Sequence, residues 1–162
     1  MRALVWVVED TWEATVDEAR AFLAPDAEVT ILHVGPVDVE ELAGLSREGL
    51  LGRPRRHAPP PPHTPLRAIS DDEALRLLAD ARERFGRAAN TEARRGRVER
   101  EVVAAADDMD ILVLARDGDH SRLGPRSLGP TARFVVDHAP CRVLLVWADA
   151  PPAVETIPPP PG

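Results

Sequence analysis

Lysine, tyrosine and glutamine are absent from this 162-residue chain, and cysteine occurs once. Without lysine there is no Walker-type phosphate loop, no kinase strand lysine and no Schiff-base or pyridoxal chemistry. The lone cysteine, Cys141, excludes an internal disulfide and a cysteine-based metal cluster, and suits a reducing compartment. No apolar run approaches the roughly 18 residues that a membrane span requires, so a membrane protein is not expected. The opening MRALVWVVED carries one arginine and a short apolar run, but acidic residues follow where a signal-peptide cleavage site would lie. A cytoplasmic location is the expectation. All 20 basic residues are arginine and the net charge is -7, which disfavours nucleic acid, because duplex binders gain affinity by placing cations on phosphates.

What the chain does have is alternation. Residues 2–8 (RALVWVV) form a near-continuous apolar run, as in a strand buried on both faces of a parallel sheet. Thr11 can cap a helix over 11–23 whose inner face would be Val16, Ala19, Phe22 and Leu23. Residues 27–34 (AEVTILHV) read as a second strand, completing a βαβ unit. A short amphipathic helix between Val39 and Leu51 is suggested but interrupted by Gly44 and Gly49. The proline-rich stretch at about 52–67 reads as an extended surface insertion. Ser70 and Glu73 form a capping box that predicts a helix over 70–88, with Leu75, Leu78, Ala79, Arg82 and Phe85 along one side. Residues 91–95 are a short, charged candidate for an edge strand.

A helix over 98–106 and a buried strand over 111–115 (ILVLA) follow, then a loop over 116–128 rich in Gly, Pro, Ser and Arg. Gly129-Pro130 opens a further helix with proline in the first turn, where its missing donor costs nothing. Residues 142–147 (RVLLVW) give the last strand. The expected domain spans 1–148, and 149–162 reads as a disordered proline-rich tail. Strands alternating with helices in this way imply a doubly wound, open parallel α/β sheet, Rossmann-like, with helices on both faces.

In such a sheet ligands bind beyond the carboxyl ends of the strands. The segment from Ala115 to Thr131 supplies flexible backbone, hydroxyls and the guanidinium groups of Arg116, Arg122 and Arg126, then a helix N-terminus whose amides and dipole favour a phosphate. No G-x-S-x-G elbow supports a hydrolase triad, and no catalytic residue is assigned. His57 and His63 read as solvated histidines rather than metal ligands. His138 suits the C-terminal end of its helix, and Cys141 reads as a small core residue.

The run DILVLARDGD followed by LGPTARFVVDHAPCRVLLVW resembles the C-terminal signature of the universal stress protein family: a strand, G-x2-G-x9-G-[ST], a helix and H-A-P-C-P-V-L-V-V. His138-Ala139-Pro140-Cys141-Arg142-Val143-Leu144-Leu145-Val146 is a close match to its second half. The resemblance covers most of 2–34 and 70–148. It implies a five-stranded sheet of order 3-2-1-4-5, a homodimer paired through the last strand, and a stress-response regulatory module that binds ATP, with Mg, without rapid turnover. By the same resemblance the phosphates fall on the loop and the base on the backbone of Val34, with Glu9 or Asp10 as the acid after the first strand. The motif is altered here. Its first glycine falls on Ala115, Gly118 matches the second, and Gly129 matches the third only with a ten-residue spacer. Pro130 takes the place of the hydroxyl, leaving Thr131 or Ser127 to replace it. A member of the family that has lost ATP and serves as a dimeric interaction scaffold is the alternative.

Overall fold

The computed structural model describes residues 1–37 and 64–160, with only the backbone path described for 64–70. Five strands, β1 (Arg2–Trp6), β2 (Glu28–Pro36), β3 (Asn90–Gly96), β4 (Ile111–Ala115) and β5 (Arg142–Val146), form one sheet in the order β3-β2-β1-β4-β5. Every neighbouring pair is parallel. The expected topology is therefore present, including the charged edge strand. The helices are α1 (Trp12–Phe22), α2 (Thr64–Phe85), α3 (Val98–Ala105) and α4 (Pro130–His138), with single 3-10 turns at Pro125–Ser127 and Val154–Thr156. Among the described residues, no helix is long and apolar enough to cross a membrane.

Alternation along the central strands divides the core in two. Ala3, Val5 and Val7 face one side with Ile31 and Val113, where Val16, Ala19 and Leu23 from α1 and Leu78, Ala81 and Phe85 from α2 cover them. Leu4 and Trp6 face the other with Leu32, Val34, Leu112 and Leu114, beneath Val102 and Ala106 of the α3 end and Ala132 and Val135 of α4. Apolar residues at every position of β4, and of β1 after the exposed Arg2, are what a strand covered on both faces requires.

Four sequence expectations are corrected in detail. Phe22 is 61% exposed, because Leu23, one residue on, fills the space beneath α1. Thr11 takes the cap position, but its hydroxyl caps nothing; its carbonyl instead accepts from the Thr15 N–H and hydroxyl. The helix before β3 starts at Thr64, six residues ahead of Ser70, so Ser70 lies inside it. The proline that the sequence suggests as a barrier, Pro65, sits in the first turn, where a missing N–H is tolerated. The inner face of α2 is also rotated from the expected one. Leu78, Ala81 and Phe85 are buried with Leu77 packed beside them, while Leu75 is 58% exposed. The suggested helix between Val39 and Leu51 and most of the proline-rich insertion lie outside the described residues.

Candidate functional site

β1 and β4 are neighbours whose following helices pack on opposite faces, so the chain leaves the sheet in two directions and opens a crevice between residues 7–11 and 116–129. This is the switch point of the sheet.

One wall is built by the ends of β1 and β2. Val7 extends the ladder by donating to Leu32 O at 2.9 Å, and the N–H groups of Thr11 and Trp12 then turn back onto Val8 O. Glu9 and Asp10, which occupy this turn, are exposed at the mouth. Val34 is buried and lies two residues beyond Leu32, so its peptide groups turn toward the same side as those of Leu32, past the last residue of β1. His33, between them, is buried with Nδ1 3.1 Å from Val7 O. A carbonyl only accepts, so Nδ1 carries the proton and Nε2 faces Glu9 Oε1 at 3.6 Å. Glu9, His33, Gly35, Pro36, Arg94 and Arg95 line a cleft of about 580 Å³ beside this wall.

The other wall is the loop after β4. Ala115 is buried in the strand and pairs with Val146. The loop then folds on itself. Gly118 N–H donates to Ser127 O at 3.0 Å and Asp119 N–H to Arg126 O at 2.8 Å. A Cβ on Gly118 would lie 2.2 Å from the Arg126 carbonyl oxygen, so glycine is required here by close approach of two backbones rather than by a special φ. Ser127 is fully buried; its hydroxyl donates to Gly124 O at 2.7 Å and accepts from Arg116 Nη1. The Arg116 guanidinium also lies 4.7 Å from the Trp147 ring centroid. Asp119 accepts from the Ser121 hydroxyl at 2.6 Å and its N–H at 2.9 Å, which hold its carboxyl below the usual carboxylate range. Arg122 Nε is 4.0 Å from Asp119, whereas Arg126 is exposed beside a broad cleft that also includes Gly129, Pro130, Arg133 and His138.

The loop meets α4 through Arg133, whose guanidinium donates to Pro125 O and Leu128 O, and through the residue that opens the helix. Gly129 N–H donates to Asp117 Oδ1 at 2.7 Å, so the end of the helix already holds an oxyanion from within the chain. Thr131 is half-buried in the first helical turn, after Pro130. At the far end of that helix His138 Nδ1 donates to Phe134 O at 2.8 Å, the terminus role its position suggests. Cys141 is half-buried; desolvation, and then the Asp110 carboxylate, push its thiol above the ordinary range.

The proline-rich stretch after β5, expected to find no partner, makes contacts with this loop. Thr156 Oγ1 accepts from Leu123 N–H at 3.0 Å, and Asp149 Oδ2 lies 3.7 Å from His120 Nδ1. Ala148 and Asp149 also line a pocket with Glu9, Asp10, Thr11 and Trp12, on the side of α1 and Arg84.

Glu9, Asp10 and Val34 thus stand at the ends of β1 and β2, and Ala115, Gly118, Ser127, Gly129 and Thr131 on the segment that leaves β4; Glu9 and Asp10 line one pocket and Gly129 another, while Ala115 and Ser127 are buried. Sequence reasoning missed His33, Asp117, His120 and Thr156. His33 stands within the ILHV end of β2, but a lone buried histidine has no sequence signal. Asp117 occupies a variable place inside the glycine motif, and only three-dimensional proximity to Gly129 marks it.

The topology defines a Rossmann-like α/β domain with a crevice at the strand switch point. A sequence model of the universal stress protein family matches residues 2–146, and the chain belongs to that family. No curated protein matches it. Among solved structures it is similar to a universal stress protein in complex with cAMP, at 19% identity and TM-score 0.61, covering 92% of this chain and 98% of the other. It is also similar to an Arabidopsis thaliana universal stress protein family protein with AMP bound, at 16% identity and TM-score 0.56, covering 93% of each. UspA from Lactobacillus plantarum is 22% identical at TM-score 0.56, covering 90% of this chain and 97% of the other.

Proposed function

We propose that this chain is a regulatory module of the stress-response type that binds an adenine nucleotide at the switch-point crevice and does not turn it over rapidly. The observation that carries the reading is the Gly129 N–H at the start of α4, which holds a carboxylate oxygen at 2.7 Å. A site that orients a donor on one oxyanion is suited in kind to another, and the exposed guanidinium of Arg126 adds positive charge nearby. The base would lie against the backbone of Val34 and the turn of Glu9 and Asp10, with the phosphates toward Gly118, Gly129 and Thr131. The AMP and cAMP held by two similar structures support the ligand class. Among the described residues no three His, Cys, Asp or Glu side chains gather into a metal cage. We therefore assign any Mg to the phosphate chain it would accompany. Gentle purification followed by nucleotide analysis, then calorimetric titration with ATP, AMP and cAMP, tests the reading. Bound adenine nucleotide or saturable heat is expected; no nucleotide and no heat at millimolar ligand would overturn it.

A second reading, a dimeric interaction scaffold without ATP, is favoured by a different observation. Gly118, Asp119 and Gly129 all spend their N–H groups on oxygens of the same loop, so those amides are not free for phosphate as the chain is folded. β5, an open edge of half-buried apolar residues, would pair two copies. Sedimentation showing a particle of twice the chain mass, with no nucleotide affinity, would select it.

A further inference from the structure

We infer that Asp117 is a resident competitor for the phosphate position at the N-terminus of α4, and that it sets which nucleotides the crevice accepts. The inference rests on the nucleotide reading above and concerns its phosphate end.

Asp117 stands between Ala115 and Gly118, inside the motif that should wrap a phosphate. Its Oδ1 accepts from Gly129 N–H at 2.7 Å. A Cβ at position 129 would meet both carboxylate oxygens at 3.0 and 3.1 Å, so the absent side chain of Gly129 is the space the carboxylate uses. The next residue, Pro130, has no N–H, which leaves the helix end short of donors. Among the described residues no arginine or histidine forms an ion pair with Asp117, so the charge facing it is the partial positive end of α4. Neighbouring donors are engaged as well: Gly118 N–H on Ser127 O, Asp119 N–H on Arg126 O, Leu123 N–H on Thr156 Oγ1. A phosphate entering here must displace the carboxylate or sit beside it as a like charge. The penalty grows with ligand charge, so ATP suffers more than AMP, cAMP less, and adenosine not at all.

The test compares the native chain with Asp117→Ser and Asp117→Asn. Serine frees the space and the N–H, whereas asparagine keeps an acceptor on Gly129 and removes only charge. Affinities for adenosine, AMP and ATP are measured by calorimetry, and inorganic tripolyphosphate serves as a probe that needs no base site. Asp117→Ser is expected to tighten ATP and tripolyphosphate about tenfold, the size of a favourable helix-end charge effect, to tighten AMP less, and to leave adenosine unchanged. Asp117→Asn should fall between. Unchanged melting curves would show that both variants fold, and a shifted Gly129 amide resonance in Asp117→Ser that this variant has lost the contact. Equal affinity of all three proteins for ATP and tripolyphosphate overturns the inference. If tripolyphosphate tightens as expected while no adenine compound binds any variant, the competition for phosphate holds, and the nucleotide reading fails together with the selection among nucleotides.

Discussion

At Gly118 a single methyl decides whether the loop after β4 can close. Gly118→Ala would place a Cβ 2.2 Å from the Arg126 carbonyl oxygen, and neither can rotate away, because the Cβ is fixed by its Cα and the oxygen belongs to backbone. We expect a loss of about 2 kcal/mol in urea unfolding, the scale of overpacking a tight site; an unchanged midpoint would mean that the two backbones separate freely. A second single-residue effect concerns acid. Arg84 donates Nε and Nη2 to the two oxygens of Asp17 at 2.8 and 2.7 Å, joining α2 to α1. Those hydrogen bonds hold the Asp17 carboxyl below the ordinary range. A carboxyl depressed in the folded state adds stability above its unfolded value, about pH 4, and loses it as pH falls through the folded value. Urea midpoints should therefore drop between about pH 5 and pH 3, and Asp17→Asn should flatten that drop. Because both side chains are near half exposed, the effect is modest, and equal slopes would show the pair to be neutral.

Helix faces separate what periodicity can and cannot tell. On α2, Phe85 is 1% exposed in the core, whereas Phe22 on α1 projects into solvent. Phe85→Ala should cost about 3–5 kcal/mol by cavity formation, and Phe22→Ala should stay within about 0.5 kcal/mol; comparable losses would mean that Phe22 has a partner not seen in the monomer. In the sequence both phenylalanines fit an apolar stripe. The difference comes from Leu23 and from the register with which α2 meets the sheet, and neither is local information. The capping box at Ser70 misled because Ser-Asp-Asp-Glu is also acceptable inside a helix that begins further upstream, at Thr64. β1, β4 and α4 were legible because continuous burial and Gly-Pro punctuation are written in adjacent residues. The Asp117 to Gly129 contact was not, because the eleven residues between them close a loop whose path one sequence does not reveal. The tail gives the remaining element-scale expectation. Thr156→Val keeps the shape and removes the acceptor for Leu123 N–H, so trypsin should cut faster after Arg122 or Arg126 in a timed digest. Identical digestion would show that the contact does not restrain the loop.

Across the whole molecule the two borders of the sheet are unlike. β3 reads NTEARRG, with Arg94 between Glu92 and Glu101 and Arg95 on Asp71. β5 reads RVLLV, with its middle residues half-buried. Charged side chains on a border strand oppose the addition of another strand, and apolar ones invite it. Growth by strand addition can therefore begin at one border and has no matching border at which to continue. Two copies joined through β5 would present only β3 outward on both sides, a closed pair in place of a lengthening fibre. A concentration series in the ultracentrifuge should level off at twice the chain mass; continued growth would show that the arginine-rich border is no barrier. That asymmetry makes β3 a stop signal for polymerisation, written in the same charges that made it the least strand-like segment of the sequence.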